Sequence, residues 1–387
     1  MSLSAKVGVV AAFWLAVALV QTFNWGEGIP KAIVLLLILL GMAGATVVAL
    51  GGQATPLPVS LQRAIPTALG LCLAAEIAYL GARILHPHLI DIATTTLAAG
   101  DALLKGGNPY ALPIDAGPET AGFTGYKYLP VMIATFLPLG APFGERGILA
   151  TNLVLFLACV WMMRQLAHST LAPLLLAMLP LVPEQIFAKG ATDLAAVLPL
   201  LGALAACERS SFAAGICVGL SIAAKPLPGA MFLPCLIPHD GKWRYGAGIL
   251  VGLAPVLPFL WLSPRDLFSN VVLFNLSRAA DATSWLHAAP TPAKYAAVLV
   301  LAAAFLASAA YVSGRAVPLV TRCGIGTMLT IAAILAGPGA HHNYQLWWLP
   351  FSCLVLARLL APSRDAACQD FALRYTEAAE VDASRGP

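Results

Sequence analysis

Charge is what this sequence has least of. Asp, Glu, Lys and Arg make up 10% of its 387 residues, against 59% hydrophobic residues. A water-soluble chain of that length would lack the polar side chains needed to cover its own surface. The 22 lysines and arginines form no basic stripe, which argues against a nucleic-acid partner. The eight cysteines contain no CxxC or CxxxC pair and mostly lie in apolar runs, so they read as small apolar filler and not as a metal or disulfide framework. Fixed-period repeats and low-complexity segments are also missing.

What the chain does have is a succession of continuous Leu- and Ala-rich runs, with a mean hydropathy of +0.83. These predict an all-α fold, a polytopic transmembrane helical bundle in which each span closes its own backbone hydrogen bonds. Strands of a β-barrel would alternate instead. Taking about 20 residues per span, the spans fall near 7–23, 32–50, 66–85, 147–164, 170–184, 192–207, 211–225, 226–238, 246–263, 294–312, 318–337 and 345–360. That is about twelve. The first, with Lys6 ahead of Val7 to Val20, has a signal-like basic start but no well-placed cleavage site, and reads as an uncleaved span. Residues 128–143 are short and hold Pro130, Pro138 and Pro142, which suits a re-entrant segment. Residues 1–361 thus form one membrane domain, followed by a polar cytoplasmic tail, 362–387.

Placing Lys6, Arg63, Arg164, Arg209, Lys242, Arg244, Arg315, Arg322, Arg358 and Arg364 on the cytoplasmic side satisfies the positive-inside rule for an inner-membrane protein. The stretches 86–130, 183–193, 263–293 and 337–345, together with Lys225, then share the periplasmic or extracellular face. The first of them is the polar stretch to watch. Its residues 89–105 have apolar positions at Leu89, Ile92, Ala93, Leu97 and Leu104, the recurrence of a helix lying along the membrane surface, with Asp91 and Thr95 on another face. Two turn signals follow, and then Tyr110, Tyr126, Lys127 and Tyr128.

Asp91, at a span end ahead of that helix, is either a general base poised at the lipid–water boundary, or a helix cap or solvated surface acid. Asp101 further along reads as a solvated acid. Lys225, followed by Pro226 and Pro228 on either side of Leu227, is either a phosphate contact or a snorkelling interface lysine. Lys189 and Asp193, four apart, either serve a ligand or pair with each other. His341 and His342 are adjacent and lack an i+4 partner, so they suit a hydrogen bond to substrate better than a metal. Trp347 and Trp348 read as an aromatic belt, and Glu76 as an intramembrane acid with either a functional or a helix-bonding role.

Asp91, Gly107-Asn108-Pro109-Tyr110, Tyr128-Leu129-Pro130 and Pro138-Leu139 together resemble the first outer loop of the polyprenyl-phosphate-mannose-dependent α-mannosyltransferases, glycosyltransferase family 87 of the GT-C superfamily. Lys189 to Asp193, Ala214-Gly215-Ile216 through Ala224 to Pro228, and His341 to Tyr344 are similar to further turns of that family. The chain departs from the pattern in having Thr95 where the family often has Tyr, and in lacking the second proline of its Y-P-P entry. The resemblance implies a GT-C fold that passes a hexose, mannose in the first instance, from a polyprenyl-phosphate-linked donor to a glycolipid or glycan hydroxyl. Asp91 would be the base, and Lys225, with Lys189 or Lys127, would hold the phosphate. No DxD metal motif is present, so neither a metal nor a cofactor is expected. The rival class is a transporter or flippase for a lipid-linked sugar, whose inverted repeats the sequence does not show.

Overall fold

The computed structural model describes residues 59–114, 124–277, 284, 286, 289–339 and 341–360. The expected spans 7–23 and 32–50, the loop residues 115–123 and the tail 362–387 lie outside the described residues.

Among the described residues the fold is all-helical. The chain runs through α1 (Val59–Leu85), α2 (Asp91–Leu104), α3 (Pro130–Phe143), α4 (Glu145–Ala167), α5 (Leu171–Ala177), α6 (Leu194–Ala206), α7 (Ser211–Ala224), α8 (Pro226–Phe232), α9 (Lys242–Gly252) and α10 (Leu257–Leu262). It ends with α11 (Thr291–Ser313), α12 (Leu319–Ala336) and α13 (Leu349–Leu360). Every expected span from 66–85 onward falls on helix, and among the described residues five helices are long and apolar enough to cross a bilayer, or up to six if the bent pair after α4 counts as one. Of the ten expected spans within the described residues, five coincide with these helices, 170–184 with the bent pair, and 192–207, 211–225, 226–238 and 345–360 with shorter apolar helices. Prolines are one reason, since Pro180, Pro226 and Pro234 each remove a backbone donor and break an apolar run into pieces. The bent pair, α5 with Leu181–Ala188, turns by 61° at such a break.

The outer flank of the bundle is apolar. Leu299, Val300 and Leu306 on α11 are each at least 67% exposed, and Trp261 on α10 is 88% exposed. Side chains of this kind belong against lipid, as an integral membrane protein requires.

Segment 130–143 forms α3, whose 14 residues extend about 21 Å, short of a roughly 30 Å hydrocarbon core. It turns at Gly144 directly into α4 and packs against α2, with Gly140 meeting Leu97 and Gly100 meeting Leu137. On α2 itself the expected face is shifted. Thr95 and Thr96 are buried with Ile92, Ala93, Ala99 and Gly100, whereas Leu104 is 62% exposed. The threonines can go inside because their hydroxyls bond back to the carbonyls of Asp91 and Ile92.

The closest helix pair is α7 with α9. A Cβ at Gly215 or Gly219 would collide with the carbonyl oxygen of Tyr245 or Ile249, and one at Gly248 or Gly252 with that of Phe212 or Ile216. Two small-xxx-small stripes therefore bring the backbones into contact, the arrangement that replaces hydrophobic driving force between helices in lipid. Gly219→Leu should cost roughly 1–3 kcal/mol or more, the range for overpacked cores. Gly246→Leu on the same helix, where nothing lies near the new Cβ, should be tolerated. Thermal unfolding of the two variants in detergent checks the contrast, and equal stability would remove the close-packing account.

Candidate functional site

Two local breaks set up the centre of the molecule. Pro226 disfavours helical geometry at the residue before it, so Lys225 sits extended at φ −139°, ψ 115°, between α7 and α8. Gly190 adopts φ +69°, and a Cβ there would lie 2.6 Å from Leu89, so only glycine lets the turn before α6 press against the start of α2. A backbone hydrogen bond from Ile90 N–H to the Lys189 carbonyl, 2.9 Å, ties the same two segments together. Asn152 on α4, fully buried, holds the turn from beneath by donating to the carbonyls of Ile186 and Ala191.

The Asp193 carboxylate, 0% exposed, accepts from Lys225 Nζ at 2.5 Å, Asn343 Nδ2 at 3.0 Å and Trp347 Nε1. Lys225 is also boxed by rings, with Nζ 5.2 Å from the centroid of Tyr128, 5.9 Å from Tyr344 and 5.3 Å from Trp347. The 3₁₀ segment His342–Trp347 explains part of this box. Its side chains eclipse at i, i+3, which stacks Tyr344 on Trp347 at 4.2 Å. His341, half-buried, meets Tyr344 edge-on at 5.1 Å, and His342 is half-buried beside it.

Asp91 approaches from the other side. It is exposed, its Oδ1 accepts the Ile92 N–H at 2.8 Å, and its charge reaches Tyr128. Burial first, then Tyr344, Asp91, Tyr126 and Asp193, push the Tyr128 phenol well above its ordinary value. Tyr128 thus feels the charges of both Asp91 and Asp193, and its ring lies 5.2 Å from Lys225 Nζ. A groove of about 310 Å³ between α2 and α3, lined by Thr96, Gly100, Asp101, Phe136 and Gly140 among others, opens one helical turn beyond Asp91.

The remaining expected residues take supporting places. Tyr110 and Tyr126 are each 1% exposed. The Tyr110 hydroxyl donates to the Tyr128 carbonyl, and the Tyr126 hydroxyl pairs with Thr96. Lys127 is buried, bonds Asn270 Oδ1 at 3.2 Å and lies over the Phe274 ring, and burial lowers its pKa to about 8. Lys189 does not pair with Asp193 but with Glu184, 3.0 Å away, because the π-helical turn Glu184–Ala188 brings that acid round to it. Asp101 pairs with Lys105 on the surface. Trp347 and Trp348 form no belt, since both are buried and Trp347 is spent on Asp193. Arg322 is no surface connector charge either. It is buried and donates to the carbonyls of Val317, Cys235 and Ile237.

Three contributors escape sequence reasoning. Asn343 and Trp347 complete the Asp193 cluster. Asn270 is a hub, accepting from Gly125 N–H and Lys127 and donating to the carbonyls of Tyr110 and Asp266. The signal for Asn270 and Trp347 is a polar or indole side chain beside an apolar run, where an unbonded donor is costly, whereas Asn343 sits in the polar turn 341–345 and carries no such signal. The cluster presents an exposed carboxylate, an internally neutralised lysine, aromatic surface and imidazoles, and among the described residues no group of side chains suited to hold a metal ion. No family model, no curated protein and no solved structure matches the chain.

Proposed function

We propose that this chain is a membrane glycosyltransferase that moves a hexose, mannose in the first instance, from a polyprenyl-phosphate-linked donor to a hydroxyl of a glycolipid or glycan on the outer face of the membrane. The observation that carries the reading is convergence. Asp91, Tyr128, the turn 189–193, Lys225 and the segment 341–347 are the pieces on which the resemblance to glycosyltransferase family 87 rests, and they meet around one ion pair. In the proposed reaction Asp91 takes the proton of the acceptor hydroxyl. The acceptor oxygen attacks the anomeric carbon, the bond from that carbon to the phosphate oxygen breaks, and the lipid phosphate leaves with the electron pair. One displacement inverts the anomeric centre. Lys225 keeps N–H donors beyond the one given to Asp193, so a phosphate oxygen is a second acceptor for it and not a replacement for Asp193.

A transporter or flippase of a lipid-linked sugar is the second reading. It draws on the 61° break after α4 and on Glu76, which is 5% exposed with neither carboxylate oxygen hydrogen-bonded among the described residues. Purified protein incubated with a panel of polyprenyl-phosphate sugars and a membrane lipid extract separates the two. Mass spectrometry should find new glycolipids heavier by one hexose. If folded, monodisperse protein makes no product with any donor yet moves a lipid-linked sugar across vesicle bilayers, the transferase reading falls.

A further inference from the structure

In the sequence the basic residues are scattered. The fold gathers several of them at one end of the bundle. The α7–α9 contact sets the starts of those helices side by side, and the Ser211 hydroxyl donates to the Asp240 carbonyl at 3.0 Å, joining the turn before α7 to the turn before α9. Arg322 then clamps a third connector to them, because its guanidinium donates both to Cys235 and Ile237, ahead of α9, and to Val317, between α11 and α12. Arg209, Lys242, Arg244 and Arg315 are carried on these three joined connectors, and all four are exposed. Glu208 and Asp240 are the acids exposed on the same connectors, so four cations face two carboxylates there.

Aromatic rings accompany the cations. Trp243 is 74% exposed with the Arg244 guanidinium 5.6 Å from its ring, and Tyr311 is 41% exposed with that of Arg315 at 4.4 Å. Indole and phenol rings at helix ends sit at headgroup depth, where adjacent cations meet lipid phosphates. The Asp193 cluster lies elsewhere, at the far ends of α7 and α8's junction and at the start of α6.

We infer that this end of the bundle is a docking surface for anionic phospholipid headgroups, with Arg209, Lys242, Arg244 and Arg315 contacting the phosphate and Trp243 and Tyr311 setting its depth. The inference is independent of the glycosyl-transfer reading. It commits to lipid and not to free phosphate because the cations are flanked by exposed rings that a small hydrated anion would leave in water.

The test uses full-length protein in nanodiscs of phosphatidylcholine with a minority of phosphatidylglycerol, released and weighed by native mass spectrometry. The wild type should retain phosphatidylglycerol in preference to phosphatidylcholine. The variant carrying R209Q, K242Q, R244Q and R315Q should lose that preference by about tenfold or more, given the usual contribution of each cation near an anionic surface. A control, Lys105→Gln on α2, should keep it. Since all four substituted side chains are exposed, the fourfold variant should elute and melt as the wild type does; R244Q with R315Q alone serves if it does not. Equal retention of both lipids by the wild type, or an unchanged preference in the substituted protein, overturns the inference. So does stabilisation by inorganic phosphate alone equal to that given by the lipid.

Discussion

Asp91→Asn should lower kcat by roughly 100-fold or more, within the range for loss of a general base, while the protein stays folded. The substitution keeps the shape of the side chain and an oxygen to accept the Ile92 N–H, so α2 keeps its first turn. What it removes is the capacity to take a proton. Asp91→Ala should be as inactive, and should cost in addition roughly 0.3–1 kcal/mol for the lost anion at a helix N-terminus. Asp101→Asn, which only breaks a surface pair with Lys105, should be mild. The measurement is turnover of the polyprenyl-phosphate sugar by monodisperse enzyme. Full turnover by the asparagine variant would leave the proposed mechanism without its base, and Asp91 would stand as a solvated acid in the first turn of α2.

Breaking the buried pair should have the largest effect on stability. Asp193→Ala leaves the Lys225 ammonium, the Asn343 amide and the Trp347 indole without their common acceptor in a site closed to solvent. A loss of roughly 3–5 kcal/mol is expected, as for removal of one partner from a buried ion pair. Lys225→Met alone should be similarly harmful, because it strands the carboxylate. The double variant Asp193→Ala, Lys225→Met should recover part of the loss by removing both charges, and only part, since Asn343 and Trp347 then lack their acceptor. Unfolding curves in detergent for the four proteins of this cycle decide the matter. Additive losses with no recovery would mean that the pair is not coupled as its 2.5 Å contact implies. The same experiment bears on Lys225, whose loss of activity on substitution can be assigned to phosphate binding only where the fold survives.

Several elements were legible from local pattern. Helix α2, Asp91–Leu104, falls within the helix that the apolar spacing of 89–105 implies, two residues shorter at its start, and Lys225 sits where Pro226 forces a break. The membrane helices from α1 onward coincide with the apolar runs. The lengths of the helices were less legible, because hydropathy counts apolar residues and does not register that a proline or a π-turn has divided a run into shorter pieces. The face of α2 was misjudged for a related reason. Threonine counts as polar, yet its hydroxyl can bond back to its own helix and go inside. The tryptophans at 347 and 348 suit an interface by type, and only their neighbours reveal that Trp347 is an internal donor.

The sequence by itself determined the solvent and the secondary structure. Scarce charge and long apolar runs leave lipid as the environment, and in lipid the backbone must close on itself within each helix. Those are local constraints, readable one segment at a time. The site was decided by tertiary structure alone. Asp193 draws its donors from positions 32, 150 and 154 residues away, and no periodicity connects residues so far apart. What selects them is the cost of burying a charge, which is offset only where packing brings every needed donor to the same carboxylate. At the basic end of the molecule the positive-inside pattern already put Arg209, Lys242, Arg244 and Arg315 on one side, and what the fold adds is the joining of their connectors through the glycine-mediated contact of α7 with α9 and the Arg322 clamp.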